Sequence, residues 1–211
     1  HVMQVAGAEV LVSRMIDDLA DDIEPTIFCL DRLGTLGEAL RERGVPIIAM
    51  NRQPGRDLKL IPRLAAEFDE RRIDVIHAHQ YTPFFYASLA KAWSRQKPRL
   101  IFTEHGRHYP DVVSWKRRWT NRLLLSRLAD QVNACSQFSG DALAEQEGFR
   151  ASAVEVIYNG IDTTNFVPDP DRLQVRADLG LDPNRRYVAT IARFHPVKDH
   201  ATLLDSFAEL T

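Results

Sequence analysis

Short apolar segments alternate with amphipathic ones along most of the chain. The apolar segments are rich in Val, Ile and Leu without polar alternation, which indicates strands that are buried on both faces. The predicted strands are 26–30, 45–50, 74–78, 99–103, 131–134 and 154–158. Between them apolar residues recur at helical spacing, and the predicted helices are 8–19, 36–43, 60–71, 83–94, 115–128 and 139–147. This alternation predicts an α/β domain with a doubly wound parallel sheet.

The two ends of this pattern are incomplete. We expect 1–7 to be the last part of a strand and a loop of small residues, with the beginning of that strand missing. The chain starts at His1 without an initiator Met or a signal-peptide pattern, so we expect a piece of a longer protein. At the other end, 187–192 is predicted as one further buried strand and 201–210 as the amphipathic helix that follows it.

The composition changes after residue 162. Pro and Asp are concentrated around one short predicted helix, 173–179, which is typical of an interdomain connection. We therefore expect an N-terminal Rossmann-like domain at 1–165, a connection at 166–185, and the first βα unit of a second Rossmann-like domain at 186–211.

Overall composition excludes several classes of protein. The 211 residues are 45% hydrophobic and 27% charged, as in globular proteins rather than disordered ones. No apolar run approaches the roughly 20 residues of a membrane-spanning helix. The net charge of -2 provides no overall attraction to nucleic acid, so we expect no nucleic-acid partner. Cys29 and Cys135 lie in apolar runs and are expected to be reduced core thiols in the cytoplasm.

Polar side chains follow the predicted strands at their carboxyl ends, where open parallel sheets bind ligands. We therefore expect a cleft along this edge of the sheet. The residues are Gly7, Glu9, His77, His79, Glu104, His105, Gly106, Arg107, Ser136, Asn159 and Gly160.

Single residues of this edge allow more than one interpretation. His77 and His79 have the spacing of a metal pair, but no convincing ligand set follows them, so hydrogen-bonded structural histidines are expected. His105 could reach a substrate hydroxyl or be structural. Gly7 would let an anion approach the backbone, although a turn that opens a helix also favours glycine.

Two cations lie between the last predicted strand and helix. Arg193 and Lys198 stand at a helix N-terminus, where free N–H groups and the helix dipole favour a phosphate. The alternative is an ordinary βα connection with two solvated charges.

Residues 107–127 combine six cations and one acid with two tryptophans. The favoured interpretation is a helix that packs its tryptophans inward and leaves its cations in solvent. The alternative is a helix held at an anionic membrane surface. The residues concerned are Arg107, Asp111, Trp115, Lys116, Arg117, Arg118, Trp119, Arg122 and Arg127.

The ordered set of motifs resembles family 4 glycosyltransferases of the GT-B fold, and is similar to bacterial exopolysaccharide sugar transferases. The motifs are VAGAE (5–9), DVIHAH (74–79), TEHG (103–106), VIYNGID (156–162) with Phe166, and Arg193 followed by Lys198. The resemblance implies two Rossmann-like domains, with acceptor held mainly by the first and nucleotide-sugar donor mainly by the second.

The resemblance also implies roles for single residues. It implies Arg193 and Lys198 on the donor diphosphate, Gly7 with Ala8 near the donor phosphate, and His105 directed toward the donor sugar. The implied lining of the acceptor side of the cleft is Glu9, His79, Glu104, Arg107, Ser136 and Asn159.

The implied activity is sugar transfer from a nucleotide diphosphate sugar to a glycan or lipid-linked acceptor, with retention of configuration, in cell-surface polysaccharide synthesis. It implies no cofactor and no metal, and a cytoplasmic protein with peripheral contact to the inner face of an anionic membrane.

Two departures from the family pattern stand out. One of its paired glycines is Ala6 here, and its acidic motif of the second domain has no counterpart before Thr211, so we expect this chain not to catalyse turnover by itself. Other interpretations stay open: a nucleotide-sugar epimerase or phosphorylase of the same fold, a non-catalytic sugar- or lipid-binding α/β module, and a metal hydrolase using His77 and His79.

Overall fold

The computed structural model describes residues 1–106, 113–165, 168 and 171–210. Described residues up to Asn159 belong to one compact unit, and those from Gly160 onward belong to a second. The first unit contains every strand among the described residues, in agreement with the predicted parallel α/β architecture.

The first unit alternates strands and helices as the apolar pattern predicts. Its strands are β1 (Ile27–Cys29), β2 (Ile47–Ala49), β3 (Val75–His79), β4 (Arg99–Glu104), β5 (Gln131–Ala134) and β6 (Val154–Val156). Its helices are α1 (Gly7–Asp18), α2 (Thr35–Glu42), α3 (Leu60–Glu70), α4 (Tyr81–Trp93), α5 (Trp115–Thr120), α6 (Ser126–Leu128) and α7 (Gln137–Glu145). A π-helical turn, Asn121–Leu125, joins α5 to α6.

All strand pairs are parallel, but their hydrogen bonds divide them into two sheets. β1 pairs with β2, while β3, β4, β5 and β6 form a four-stranded sheet in that order. A groove of about 1140 Å³ runs between β1 and β3 and is lined by both strands and by α1. The sequence predicted one sheet; the division arises because no described strand lies between β1 and β3 to join them.

Residues 1–7 contain no regular strand, contrary to the expected strand end. Met3 nevertheless donates its N–H to the Leu33 carbonyl at 2.8 Å, and the His1 carbonyl accepts from Asp31 N–H at 3.2 Å. These bonds hold the segment beside the end of β1, but they are too few for a ladder.

Aromatic stacking holds the core of the four-stranded sheet. The rings of Phe84 and Phe102 stack with centroids 4.2 Å apart, and the Phe149 ring lies 5.7 Å from that of Phe102. Phe84 and Phe102 are fully buried. A second cluster packs α3 against α4 through Leu64, Phe68 and their neighbours. The β3, β4 and β5 strand ends therefore project from a rigid base.

The predicted inward packing of the tryptophans is wrong. Trp115 and Trp119 are 68% and 54% exposed, whereas Asn121 and Leu125 are fully buried. The half-buried Arg117 begins this inward face. Two residues correspond to roughly 200° around a helix, so Trp115 and Trp119 point away from the face that Arg117 and Asn121 occupy.

Both cysteines are free thiols, but only one of them lies in the core. Cys29 is a buried free thiol, and Cys135 is a half-buried one. None of the helices in the described ranges has the length and apolar character needed to cross a membrane.

Among its described residues the second unit contains two α-helices, α8 (Arg172–Asp178) and α9 (His200–Ala208), and two 3₁₀ turns, Thr163–Asn165 and Pro196–Lys198. The predicted strand at 187–192 is not formed, and that prediction is wrong for the described structure. Val188 is 73% exposed and Ile191 fully exposed. A lone extended segment cannot make ladder hydrogen bonds, and this unit has no other strand among its described residues.

Candidate functional site

Three neighbouring strands end at one edge of the four-stranded sheet and bring polar side chains together there. β3 ends at His79, β4 at Glu104, and β5 at Ala134. His79 is in register with Thr103, and Thr103 with Asn133. We call His77, His79 and His105 the histidine edge; the structure brings all three into one cluster.

The central contact of the histidine edge joins two imidazole rings. His79 Nδ1 lies 2.8 Å from His105 Nε2, and the ring centroids are 5.0 Å apart with the ring planes 29° from parallel. The His77 ring also contacts His79, with ring centroids 4.0 Å apart. The second ring nitrogen of His105, Nδ1, is buried and has no hydrogen-bond partner within the described structure.

Burial keeps these imidazoles neutral at pH 7. It lowers the pKa of His79 to about 2 and that of His77 to about 4. The pKa of His105 is also lowered by burial, although the Glu9 carboxylate opposes the shift. The histidine edge therefore offers neutral hydrogen-bonding groups rather than positive charges.

His77 belongs to a hydrogen-bonded row across three strands. The Thr103 hydroxyl contacts both His77 Nε2, at 2.7 Å, and Asn133 Oδ1. The single proton of this hydroxyl goes to Asn133 Oδ1, so the hydroxyl oxygen accepts a hydrogen bond from the Nε2–H group of the neutral His77 ring. This is the structural role expected for His77.

Within the described ranges no three His, Cys, Asp or Glu residues are arranged to hold a metal.

The sequence indicated no role for Thr103 beyond its place in the TEHG motif and none for Asn133. Both residues lie inside predicted strands, whereas the predicted site residues follow strands. The row depends on the register between β3, β4 and β5, which one sequence does not reveal.

Glu104 and Ser136 lie at the predicted edge and make internal hydrogen bonds. Glu104 is 5% exposed, and its carboxylate accepts from Gly106 N–H at 3.4 Å. Ser136 Oγ accepts from Ser139 N–H at 3.2 Å and so caps the N-terminus of α7. Both side chains shape the edge through these bonds.

The start of α1 lies beside the same groove. Ala8, Glu9 and His79 all line it. Ala6 provides no side-chain cap for the first turn of α1, and a Cβ added to Gly7 would meet no atom within 4 Å. The first turn of α1 thus has no side-chain cap, and an uncapped helix N-terminus is suited to an anion.

Two predicted residues contribute less to this picture. Asn159 is exposed beyond the end of β6. Arg107 lies outside the residues that the structure describes.

Arg193 and Lys198 belong to the second unit. We call 193–198 the cation turn. Both side chains are exposed, and neither forms an ion pair within the described part of the chain. The turn precedes α9, as predicted: Asp199 caps that helix by accepting from Thr202 N–H at 3.4 Å, and His200 Nε2 lies 3.1 Å from the Arg193 carbonyl oxygen.

A buried polar network that the sequence did not indicate begins two residues after His79. The Tyr81 hydroxyl donates to Asn121 Oδ1 at 2.9 Å, and Asn121 Nδ2 donates to the Glu147 carbonyl at 2.9 Å. Arg117 pairs with the Glu147 carboxylate at 2.5 Å and lies 3.4 Å from the centre of the Tyr81 ring. Burial raises the pKa of Tyr81 to about 12. The network fixes the N-terminus of α4 to the π-helical turn.

Comparison with known proteins gives a consistent result. Residues 5–165 match the profile of Glycosyltransferase Family 4. The EpsF glycosyltransferase candidate of Bacillus subtilis (strain 168) is 29% identical over 140 residues, which cover 64% of the chain and 36% of EpsF. The D-inositol 3-phosphate glycosyltransferase of Mycobacterium sp. (strain KMS) is 33% identical over 82 residues, or 39% of the chain and 18% of that enzyme.

A solved structure extends the similarity to the fold. Anabaena HepE in complex with UDP matches with a TM-score of 0.78 at 25% sequence identity, covering 97% of the chain and 54% of HepE. The chain thus spans about a third of EpsF and about half of HepE.

Proposed function

Because the chain belongs to glycosyltransferase family 4, we propose that the complete protein transfers a sugar from a nucleotide diphosphate sugar to a glycan or a lipid-linked acceptor. Configuration at the anomeric carbon is retained, and the product contributes to cell-surface polysaccharide. The observation that carries this proposal is the neutral histidine pair, His79 and His105, beside the uncapped start of α1. The UDP complex of HepE supports UDP as the nucleotide part of the donor.

The uncapped first turn of α1 suits one part of the donor, its phosphates. Gly7 and Ala8 approach a phosphate through backbone N–H groups, which the helix dipole reinforces. His105 meets a hydroxyl of the sugar to be transferred and orients it. Front-face attack by the acceptor hydroxyl then delivers its proton to the leaving phosphate, so His105 does not act as the base.

The cation turn suits the leaving group. As the bond from sugar to phosphate breaks, negative charge grows on the diphosphate, and preorganised cations stabilise this charge more than that of the ground state. Arg193 and Lys198 are exposed and are therefore available to a ligand. They take the role that a metal would otherwise fill, and the proposal includes neither metal nor cofactor.

Removing one cation should therefore impair catalysis without unfolding the protein. For Arg193→Ala or Lys198→Ala in the complete protein, we expect kcat/KM to fall about 10- to 100-fold, since a charge-assisted contact is worth about 1.5–3 kcal/mol. The measurement is UDP release from UDP-sugars in the presence of acceptor glycans. Arg186→Ala, an exposed cation outside the turn, is the matched control and should retain activity. Full transfer by both variants would refute the assignment.

Other functions give different results in the same assay. An epimerase would isomerise the nucleotide sugar without acceptor, a phosphorylase would need inorganic phosphate, and a binding module would retain sugar without turnover. The family membership does not favour these alternatives.

We also propose that the α5 helix and the π-helical turn contact an anionic membrane from the cytoplasmic side. Trp115, Trp119 and Leu123 follow each other at four-residue intervals, and all three are more than half exposed. Exposed Lys116 and Arg118 flank them. An apolar stripe beside cations is the pattern of interfacial helices.

Vesicle binding tests this contact. Co-sedimentation with phosphatidylglycerol vesicles should exceed that with phosphatidylcholine vesicles and should weaken with salt. The Trp115→Ser/Trp119→Ser double variant should lose most of this binding. Trp93→Ser, which removes a tryptophan that is 69% exposed on α4, is the matched control. Equal binding by the double variant would contradict the proposal.

A further inference from the structure

The hydrogen bond between His79 and His105 constrains which nitrogen of each ring carries a proton. Both imidazoles are neutral at pH 7, so each has one N–H donor and one lone pair. The atoms that face each other are His79 Nδ1 and His105 Nε2, 2.8 Å apart. One of these two atoms must donate and the other must accept.

The two arrangements leave different groups at the buried Nδ1 atom of His105. If His79 donates, His105 carries its proton on Nδ1, and a buried N–H remains without a partner. If His105 donates through Nε2–H, its Nδ1 is a lone pair. Among backbone groups, orphaned buried N–H donors are rarer than under-satisfied acceptors, and the same preference applied to this ring favours the second arrangement.

His79 is neutral in either arrangement, because burial lowers its pKa to about 2. The bond between the two rings is therefore a hydrogen bond between neutral imidazoles, and the choice of donor rests on the group left at His105 Nδ1.

We propose that His79 is a positioning residue: its Nδ1 atom accepts a hydrogen bond from His105 Nε2–H and leaves the His105 Nδ1 lone pair free to accept a hydrogen bond from a sugar hydroxyl. The ligand class rests on the proposed glycosyl transfer, whereas the pairing of the two rings does not. His79 acts through His105 and also prevents its ring from rotating. This gives His79 a role different from that of His77, whose Nε2 atom bonds within the sheet to Thr103.

The protonation state can be measured without any substrate. In the complete protein labelled with ¹⁵N at histidine, two-bond ¹H–¹⁵N spectra at pH 7.5 distinguish protonated from unprotonated ring nitrogens, and His105→Gln assigns the His105 signals. We expect His105 to be protonated at Nε2 and unprotonated at Nδ1. Protonation at Nδ1 would overturn the proposal, whatever the activity.

Substitutions test the consequence for transfer. His79→Phe keeps an aromatic ring but removes the acceptor, so kcat should fall about tenfold with little change in the KM for the nucleotide sugar, and the His105 signals should become those of mixed tautomers. His79→Asn places an amide oxygen near the former Nδ1 position and should restore most of the loss. His77→Gln changes the other ring that contacts His79, whose own bond goes to Thr103, and it should leave the tautomer signals of His105 unchanged.

The outcomes separate the two levels of the proposal. Wild-type kcat and unchanged His105 signals in His79→Phe would overturn the positioning role. An inactive wild-type protein whose His105 shows the expected tautomer would refute the proposed transferase function and leave the ring pairing intact. If His79→Phe does not fold, the wild-type spectrum and His79→Asn still decide the assignment.

Discussion

The histidine edge of the first unit and the cation turn of the second unit are built differently. His79 and His105 are held by a ring–ring hydrogen bond at the end of paired strands. Arg193 and Lys198 are exposed in a turn that has only local hydrogen bonds. The two imidazoles are therefore oriented before a ligand arrives. The turn alone does not determine where the charged ends of Arg193 and Lys198 point.

This difference is also visible in the apolar residues beside each site. Phe102, which precedes Thr103 in β4, is fully buried, whereas Phe194 in the cation turn is 95% exposed. An orienting hydrogen bond requires a rigid base, since a small displacement breaks it. An exposed cation tolerates displacement because Coulomb attraction declines gradually with distance.

The strongest test of this comparison uses the same substitution in both regions. Phe102→Ala should lower the free energy of unfolding of the 211-residue chain by about 3–5 kcal/mol, because it leaves a cavity beside Phe84 and Phe149. Phe194→Ala should change it by less than about 0.5 kcal/mol. Urea unfolding provides both values. A large loss in Phe194→Ala would mean that the cation turn rests on a packed base after all.

A smaller effect concerns the titration of the histidine edge. The pKa of His77 is about 4 in the folded chain, against an ordinary value of 6.5. Between these values the unfolded state binds a proton that the folded state does not, so stability falls as the pH falls below about 6.5.

Measuring urea unfolding between pH 6 and pH 5 tests this linkage. Each such group contributes about 1.4 kcal/mol per pH unit, so His77→Gln should make the decline less steep by about that amount. Glutamine retains an N–H donor toward Thr103 and does not titrate. An unchanged slope would show that His77 is not held neutral by burial.

The smallest effect is expected at Gly7. A methyl group there meets open space and the helix gains a better former, so Gly7→Ala should raise the free energy of unfolding by about 0.5 kcal/mol. Affinity of the complete protein for UDP should nevertheless fall, because the methyl group occupies the proposed path of the phosphate.

A glycine with a structural role is the matched control. Gly34→Ala should destabilise the chain, because φ is +79° and a Cβ would lie 2.6 Å from the Met3 carbonyl oxygen. Unchanged UDP affinity in Gly7→Ala would remove Gly7 from the proposed donor site.

Most elements of the first unit were predictable from periodicity alone. The predicted strand at 131–134 matches β5, and the helix predicted at 8–19 differs from α1 by one residue at each end. The spacing of apolar residues and the polar residues that follow strands are properties of short segments, so they reveal the positions of the elements without the tertiary structure. The strand predicted at 187–192 was wrong because an apolar run becomes a strand only beside another strand. The inward packing predicted for the tryptophans was wrong because the sequence does not show which side of the helix faces the core.

The amino-acid sequence by itself determined the parallel α/β class, the position of His79 and His105 after neighbouring strands, and the turn that contains Arg193 and Lys198. These follow from periods of two and 3.6 residues and from chain order, which are properties of short segments. Only the tertiary structure decided that His79 bonds to His105, that Thr103 joins His77 to Asn133, and that Trp115 faces outward. Each of these depends on strand register or on the rotation of a helix about its axis, and both are determined by packing between segments that are distant in the chain.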